Sequence, residues 1–242
     1  MNGSAWQRWH GTAGVVLAVI DVLLSISGVM LNHADALGLR DRYIASDWLL
    51  DWYDIHPAAP PVAFAAGGHW VTRMGERLYF DRDELSVRSA DLIGAVAVGG
   101  NIVVALDIRL LVLSVDGRTV ELLAGAEGVP AGMKAVGTAA DGRLVVDAAH
   151  GRYLPDLELL AWNRGDGIGA GWSVPAAPPA ELTADLLRLY RGAGLSLERV
   201  LADLHSGRIF GRIGPWAVDL AGILFLFLAA SGTWMWLRRP SN

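Results

Sequence analysis

Six histidines, and two aspartates set inside long apolar runs, are the residues whose types and spacing could do chemistry in this 242-residue chain. It has no cysteine. Disulfides, thiolate nucleophiles, Cys-ligated zinc, iron–sulfur clusters and the C-x-x-C-H attachment of c-type haem are therefore excluded, and a metal would have to be held by His, Asp, Glu or Met. His33 closes one apolar run in Leu31-Asn32-His33, and His205 precedes another in Asp203-Leu204-His205. If the two runs pair antiparallel, both imidazoles lie at one membrane face, as a six-coordinate b-type haem or a cysteine-free metal site needs. Arg208 and Arg212, about one and two turns beyond His205 on a continued helix, would then neutralise propionates. The plainer alternative is that both histidines are interfacial and bond helix-end carbonyls.

His10 stands at the other end of the first run. At 1.5 Å per residue it is roughly 35 Å from His33, too far to share a site. A haem there would need a partner chain or a ligand such as Met235; otherwise His10 is an interfacial neighbour of Trp9. Asp21 and Asp219 each lie within an apolar run, where a carboxylate is costly and turns to a helix partner or a proton path. His10, Asp21 and Gly28 fall within about 20° of one another on a helix, and Asp219, Gly222, Ala230 and Thr233 share a side of the second run. Such polar, small-residue stripes let two backbones approach closely. The aspartates either serve this packing or carry protons.

The elements that must position these residues follow from composition. The chain is 53% hydrophobic and only 19% charged, against about a quarter charged in a soluble domain. Gly11 to Leu31 and Gly214 to Leu237 each carry one charge and are long enough to cross a hydrocarbon core of about 30 Å. Ala34-Asp35-Ala36 has the form of a signal-peptidase site, but the preceding apolar run is longer than a signal h-region, so the first run is expected to stay as an anchor. Arginines flank both faces nearly equally, and Trp6, Trp9, Trp216, Trp234 and Trp236 mark both interfaces, so neither decides orientation. The short N-terminus before a large domain favours cytoplasmic termini. No basic cluster is dense enough for nucleic acid.

From Pro57 to Pro179 the texture changes to short β-branched runs separated by Gly, Asp and Asn. Strands are expected at His69–Arg73, Arg77–Phe80, Ile93–Val98, Asn101–Leu106, Leu110–Val115, Thr119–Leu123, Arg143–Asp147 and Leu157–Trp162, with turns at Gly99-Gly100, Asp116-Gly117 and Asp141-Gly142. Two stretches share a strand, acidic turn, strand rhythm like propeller blades, too few to close a ring. After the proline-rich 175–179, helices are expected at Glu181 to Tyr190 and, capped by Ser196, up to His205. Gly165 to Gly169 leads to no helix and is a loop, not a phosphate cradle, and Ser206 beside His205 lacks the geometry of a triad. The chain is thus expected to be an α+β membrane protein, a two-helix transmembrane hairpin enclosing an antiparallel β-rich domain. Its segments are an N-terminus (1–10), a first span (11–33), the β-rich domain (34–179), interfacial helices (180–213), a second span (214–237) and a tail (238–242).

Arg8-Trp9-His10, Ser27-Gly28 and Leu31-Asn32-His33 resemble the opening, and Asp203-Leu204-His205-Ser206-Gly207-Arg208 with Gly211, Gly214, Asp219 and Ser231-Gly232-Thr233-Trp234 the closing stretch, of the PepSY-associated transmembrane proteins of Gram-negative inner membranes. The resemblance covers about 75 residues. It implies an inner-membrane location with cytoplasmic termini and a periplasmic domain, an association with iron and siderophore uptake, and b-type haem on membrane histidines, here His10, His33 and His205. The chain departs from the family's larger reductases, which have four or more spans, and its sequence carries no flavin or nicotinamide site of the kind a self-contained reductase would need. Two functions are then expected. One is haem-linked electron transfer in the periplasmic reduction of ferric siderophores, with other inner-membrane subunits or as a homodimer. The other is a non-enzymatic anchor whose periplasmic β domain binds a partner of an uptake or peptidase-regulating system.

Overall fold

The computed structural model describes residues 3–156 and 161–237, with side chains from residue 11 onward except 13 and 16. Along the chain run α1 (Gly3–Asn32), β1 (Tyr43–Ile44), α2 (Asp47–Trp52), β2 (Val62–Ala66), β3 (His69–Met74), β4 (Arg77–Phe80), β5 (Asp83–Arg88), β6 (Leu92–Val98), β7 (Asn101–Leu106), β8 (Leu110–Ser114) and β9 (Thr119–Leu123). Then come β10 (Ala135–Ala139), β11 (Leu144–Ala148), β12 (Gly151–Pro155), β13 (Trp162–Arg164), β14 (Ala170–Trp172), α3 (Ala180–Arg191), β15 (Leu195–Ser196), α4 (Leu197–His205), a 3₁₀ segment (Arg208–Ile213) and α5 (Gly214–Leu237). The chain divides into a helical unit, Met1–Tyr53 with Ala193–Asn242, and an inserted β unit, Asp54–Gly192.

The β unit holds three antiparallel sheets, ordered β2-β3-β4-β5, β6-β7-β8-β9 and β13-β12-β11-β10-β14. The middle sheet is apolar on both faces. Ile102, Val104, Leu106, Leu111 and Leu113 join Phe64, Val71, Leu78 and Phe80 of the first sheet in one core. Val103, Ala105, Leu110 and Val112 join Val136, Leu144 and Val146 of the third in another. Burial on both sides is why β7 and β8 read as continuous Val/Leu runs rather than as alternation. The expected Gly-Gly and Asp-Gly turns close the β6–β7, β8–β9 and β10–β11 hairpins. On the other face of the first sheet, α3 lays Leu182 and Leu186 on Met74 and Tyr79.

Three features differ from the expectation. The blade-like rhythm reaches only as far as the up-and-down strand order, and the sheets do not close into a ring. β2, β5, β10, β12 and β14 are strands without a β-branched run of their own; alanine-rich or polar, they are held by their neighbours' ladders. Of the strand expected at Leu157–Trp162, residues 157–160 lie outside the described residues, and β13 begins at Trp162.

In the helical unit, β1 pairs with β15 through Tyr43↔Ser196 and Ile44↔Leu195. This ladder, with Leu39, Leu49 and Leu50 buried, is why residues 34–53 belong with the helices, whereas the sequence reading began the β-rich domain at 34. α1 packs along α4 and touches α5. Among the described residues one helical run, within Leu197–Leu237, is long and apolar enough to cross a bilayer. Its apolar part is α5, whose bounds match the expected second span. Leu220, Ile223 and Leu226 of α5 are exposed, an arrangement that suits lipid rather than water as the solvent. The apolar stretch of α1 is the shorter Leu17–Asn32.

Candidate functional site

The sequence-marked residues of the helical unit converge where α4 meets α1. α4 is amphipathic because Leu197, Val200, Leu201 and Leu204 recur at helical spacing, and the Ser196 hydroxyl caps it by accepting from the Arg199 N–H at 3.3 Å. The helix stops at His205 and Ser206 because Gly207 adopts φ 75°, a left-handed C-terminal cap. A side chain at Gly207 would be driven into the backbone of Gly214, so the glycine fixes both the end of α4 and the approach to α5.

His205 rests on α1 over Gly28, where an added Cβ would come within 3.3 Å of its Cε1. Its Nδ1 lies 2.9 Å from the hydroxyl of Ser27, which is 4% exposed. That hydroxyl sits 2.8 Å from the Leu23 carbonyl and 3.0 Å from that of Leu24. Its single proton goes to those acceptors, so Ser27 accepts from His205 Nδ1–H and Nε2 is left unprotonated in the neutral ring. Ser27 and Gly28 are thus a seat for His205 that the sequence reading did not assign. Only the adjacency of a small and a hydroxyl residue on one helix face hinted at it.

His33 is placed elsewhere. It is exposed, and its Nδ1 donates to the Val29 carbonyl one turn back at 2.9 Å. On an ideal helix continued one residue past α1, position 33 lies about 140° from Gly28 in one sense and about 120° from Ser27 in the other. Singly, each imidazole suits a metal or haem iron: Nδ1 is committed to an acceptor, and Nε2 has no protein partner among the described residues. They bond to different groups of α1, His205 to the Ser27 hydroxyl and His33 to the Val29 carbonyl. No group of three or more His, Asp or Glu gathers among the described residues.

The remaining sequence-marked residues are dispersed. The side chain of His10 lies outside the described residues. Asp21 is half-buried on the Gly28 face of α1 and Asp219 is exposed on α5. Arg208 and Arg212 are exposed on the 3₁₀ segment.

Around α4 the structure adds a polar cluster that spacing alone could not reveal. The Arg40 Nε–H is shared between the two Glu198 carboxylate oxygens at 3.2 and 3.0 Å, and another guanidinium nitrogen pairs with Asp35 at 2.8 Å; these carboxylates hold the guanidinium charged to still higher pH than usual. Arg199 lies 5.9 Å from the centre of the Tyr53 ring and 3.8 Å from Asp203. The Tyr53 phenol is pushed up to about 12, chiefly by burial and then by the nearby Asp203 carboxylate. Trp52 Nε1–H donates to the Ile209 carbonyl at 2.7 Å, tying α2 to the 3₁₀ segment.

In the β unit, His69 Nδ1 meets Asp81 at 2.8 Å and its ring stacks on Phe80 at 4.8 Å. The second Asp81 oxygen accepts the Trp70 N–H at 2.8 Å. This pair braces the β2–β3 and β4–β5 turns.

No curated protein and no solved structure matches the chain. The family model for the PepSY-associated TM region matches residues 2–239. The stretches that seat His205 on Ser27 and Gly28 and turn the chain at Gly207 into α5 fall within that match, and the chain belongs to this family of membrane proteins.

Proposed function

We propose that the chain is a non-enzymatic inner-membrane anchor, in which α1 and α5 cross the bilayer, both termini are cytoplasmic, and the β unit is presented in the periplasm to a partner of an uptake or peptidase-regulating system. The observation that carries this reading is the exposed edge of the β unit; the Nδ1 of His205 meanwhile serves the joint between α4 and α1. The β unit, in contrast, has its own cores and an edge strand, β9, with Val120 and Leu122 exposed beside polar neighbours. An open edge of this kind can add a strand from a partner.

The test is photo-crosslinking in cells with a reactive residue at Val120. The anchor reading predicts a discrete adduct that persists in His33→Ala and is lost when Leu122 is replaced by Lys. It fails if no position along β9 gives an adduct.

A second reading is favoured by one observation, the free Nε2 of both His33 and His205. Each would then offer one ligand to a haem b completed by another inner-membrane subunit or a second copy, with Arg208 and Arg212 toward the propionates. Bound haem would supply one-electron transfer for the reduction of ferric siderophores in iron uptake.

A further inference from the structure

Because α5 starts at Gly214 and is the membrane-length helix, the 3₁₀ segment just before it must lie at the bilayer surface. The exposed side chains there match that position. Phe210 is 65% exposed, Ile213 78% and Trp216 76%, a set of large apolar and aromatic groups that an interface accommodates and water does not.

Within this patch is a cleft of about 300 Å³ lined by Trp52, Tyr53, Arg208, Ile209, Phe210 and Gly211. Its walls are fixed, since the Trp52 indole is pinned by its bond to the Ile209 carbonyl. Its charge is not neutralised. Arg40 is satisfied by Asp35 and Glu198 and Arg199 by Asp203, whereas Arg208 and Arg212 have no acidic partner among the described residues. Two uncompensated guanidinium groups within two turns of a membrane helix, beside aromatic walls, are the chemistry that holds a lipid phosphate.

We propose that this cleft binds the head group of an anionic phospholipid, with the phosphate against Arg208, Arg212 adding to the field, and the acyl chains passing along Phe210, Ile213 and Trp216 toward α5. A soluble phosphate would make no use of these apolar groups, which is why the lipid is the occupant. The proposal does not depend on the anchor reading and competes with the haem reading, in which the same two arginines turn to propionates instead.

The experiment is native mass spectrometry of the full-length protein released from mixed micelles containing equal amounts of phosphatidylglycerol and phosphatidylcholine. Retained phosphatidylglycerol is expected to exceed phosphatidylcholine several-fold on the unaltered protein. Arg208→Gln and Arg212→Gln should each cut that retention about fivefold, the equivalent of about 1 kcal/mol for each basic residue at a membrane surface. Arg143→Gln, in the β unit, should leave it unchanged. Equal retention of the two lipids by the unaltered protein overturns the proposal, a result that depends on no variant folding correctly. So does retention unaffected in the double variant, or equal competition by glycerophosphoglycerol, which has the head group without the chains.

Discussion

Two histidines in similar sequence settings end in different chemical situations, and the difference is made by their neighbours on α1. His205 finds a hydroxyl already donating to its own helix and a glycine that leaves space for the ring. His33 finds only the backbone carbonyl one turn back. Ser27→Ala removes the acceptor and leaves the His205 N–H unpaired at a part-buried contact, for a cost of about 1 kcal/mol. His33→Ala, at an exposed position, should change stability by no more than about 0.5 kcal/mol. Thermal unfolding of the detergent-solubilised variants checks this, and the assignment fails if Ser27→Ala melts with the parent protein. The candidate histidines were legible in the sequence from their places at the ends of apolar runs. Their partners were not, because Ser27 and His205 are 178 residues apart and no local period links them.

At the scale of elements, the sequence was most informative where one period persists. α4 and α5 were legible within a residue or two, since an amphipathic stripe with a serine cap and a long apolar run each have few alternatives. The β7 and β8 runs were equally plain. β10, with sequence Ala-Val-Gly-Thr-Ala, and β5, Asp-Glu-Leu-Ser-Val-Arg, are strands because adjacent ladders claim their backbone groups, a tertiary effect that composition does not carry. α3 shows how such elements are tied down. Its Asp185 accepts from Arg82, in the turn between β4 and β5, at 2.7 Å and from Arg188 at 2.8 Å, and the Arg82 guanidinium is the main reason the carboxyl stays below the usual aspartate range. A carboxylate whose folded value is depressed stabilises the fold above its unfolded pKa, near ~3.9, and loses that contribution as pH falls through the lower folded value. Asp185→Asn should therefore lose less melting temperature than the parent protein on acidification from about pH 5 to about pH 3. Parallel declines in the two proteins would show that this tie carries no pH dependence.

For the whole molecule, the apolar excess resolves into two kinds of burial. Part of it is the pair of cores on either side of the middle β sheet, and part is α5, whose apolar residues face outward toward lipid. Membership of the PepSY-associated TM family was legible from short stretches near both ends, and the match extends across residues 2–239. The pairing of His33 with His205 on one iron was suggested by their equal level in a helical hairpin. Their angular positions around α1, which level alone does not set, differ by about 120–140° on an ideal helix. The proposed anchor role requires no haem bracketed by His33 and His205 of one chain. The most direct measurement is the absorption spectrum, with haem quantitation, of full-length protein purified in detergent from haem-replete cells. The account predicts no six-coordinate b-type haem at one per chain. A Soret band with split α and β bands at that stoichiometry, abolished by either His33→Ala or His205→Ala in folded protein, would contradict it.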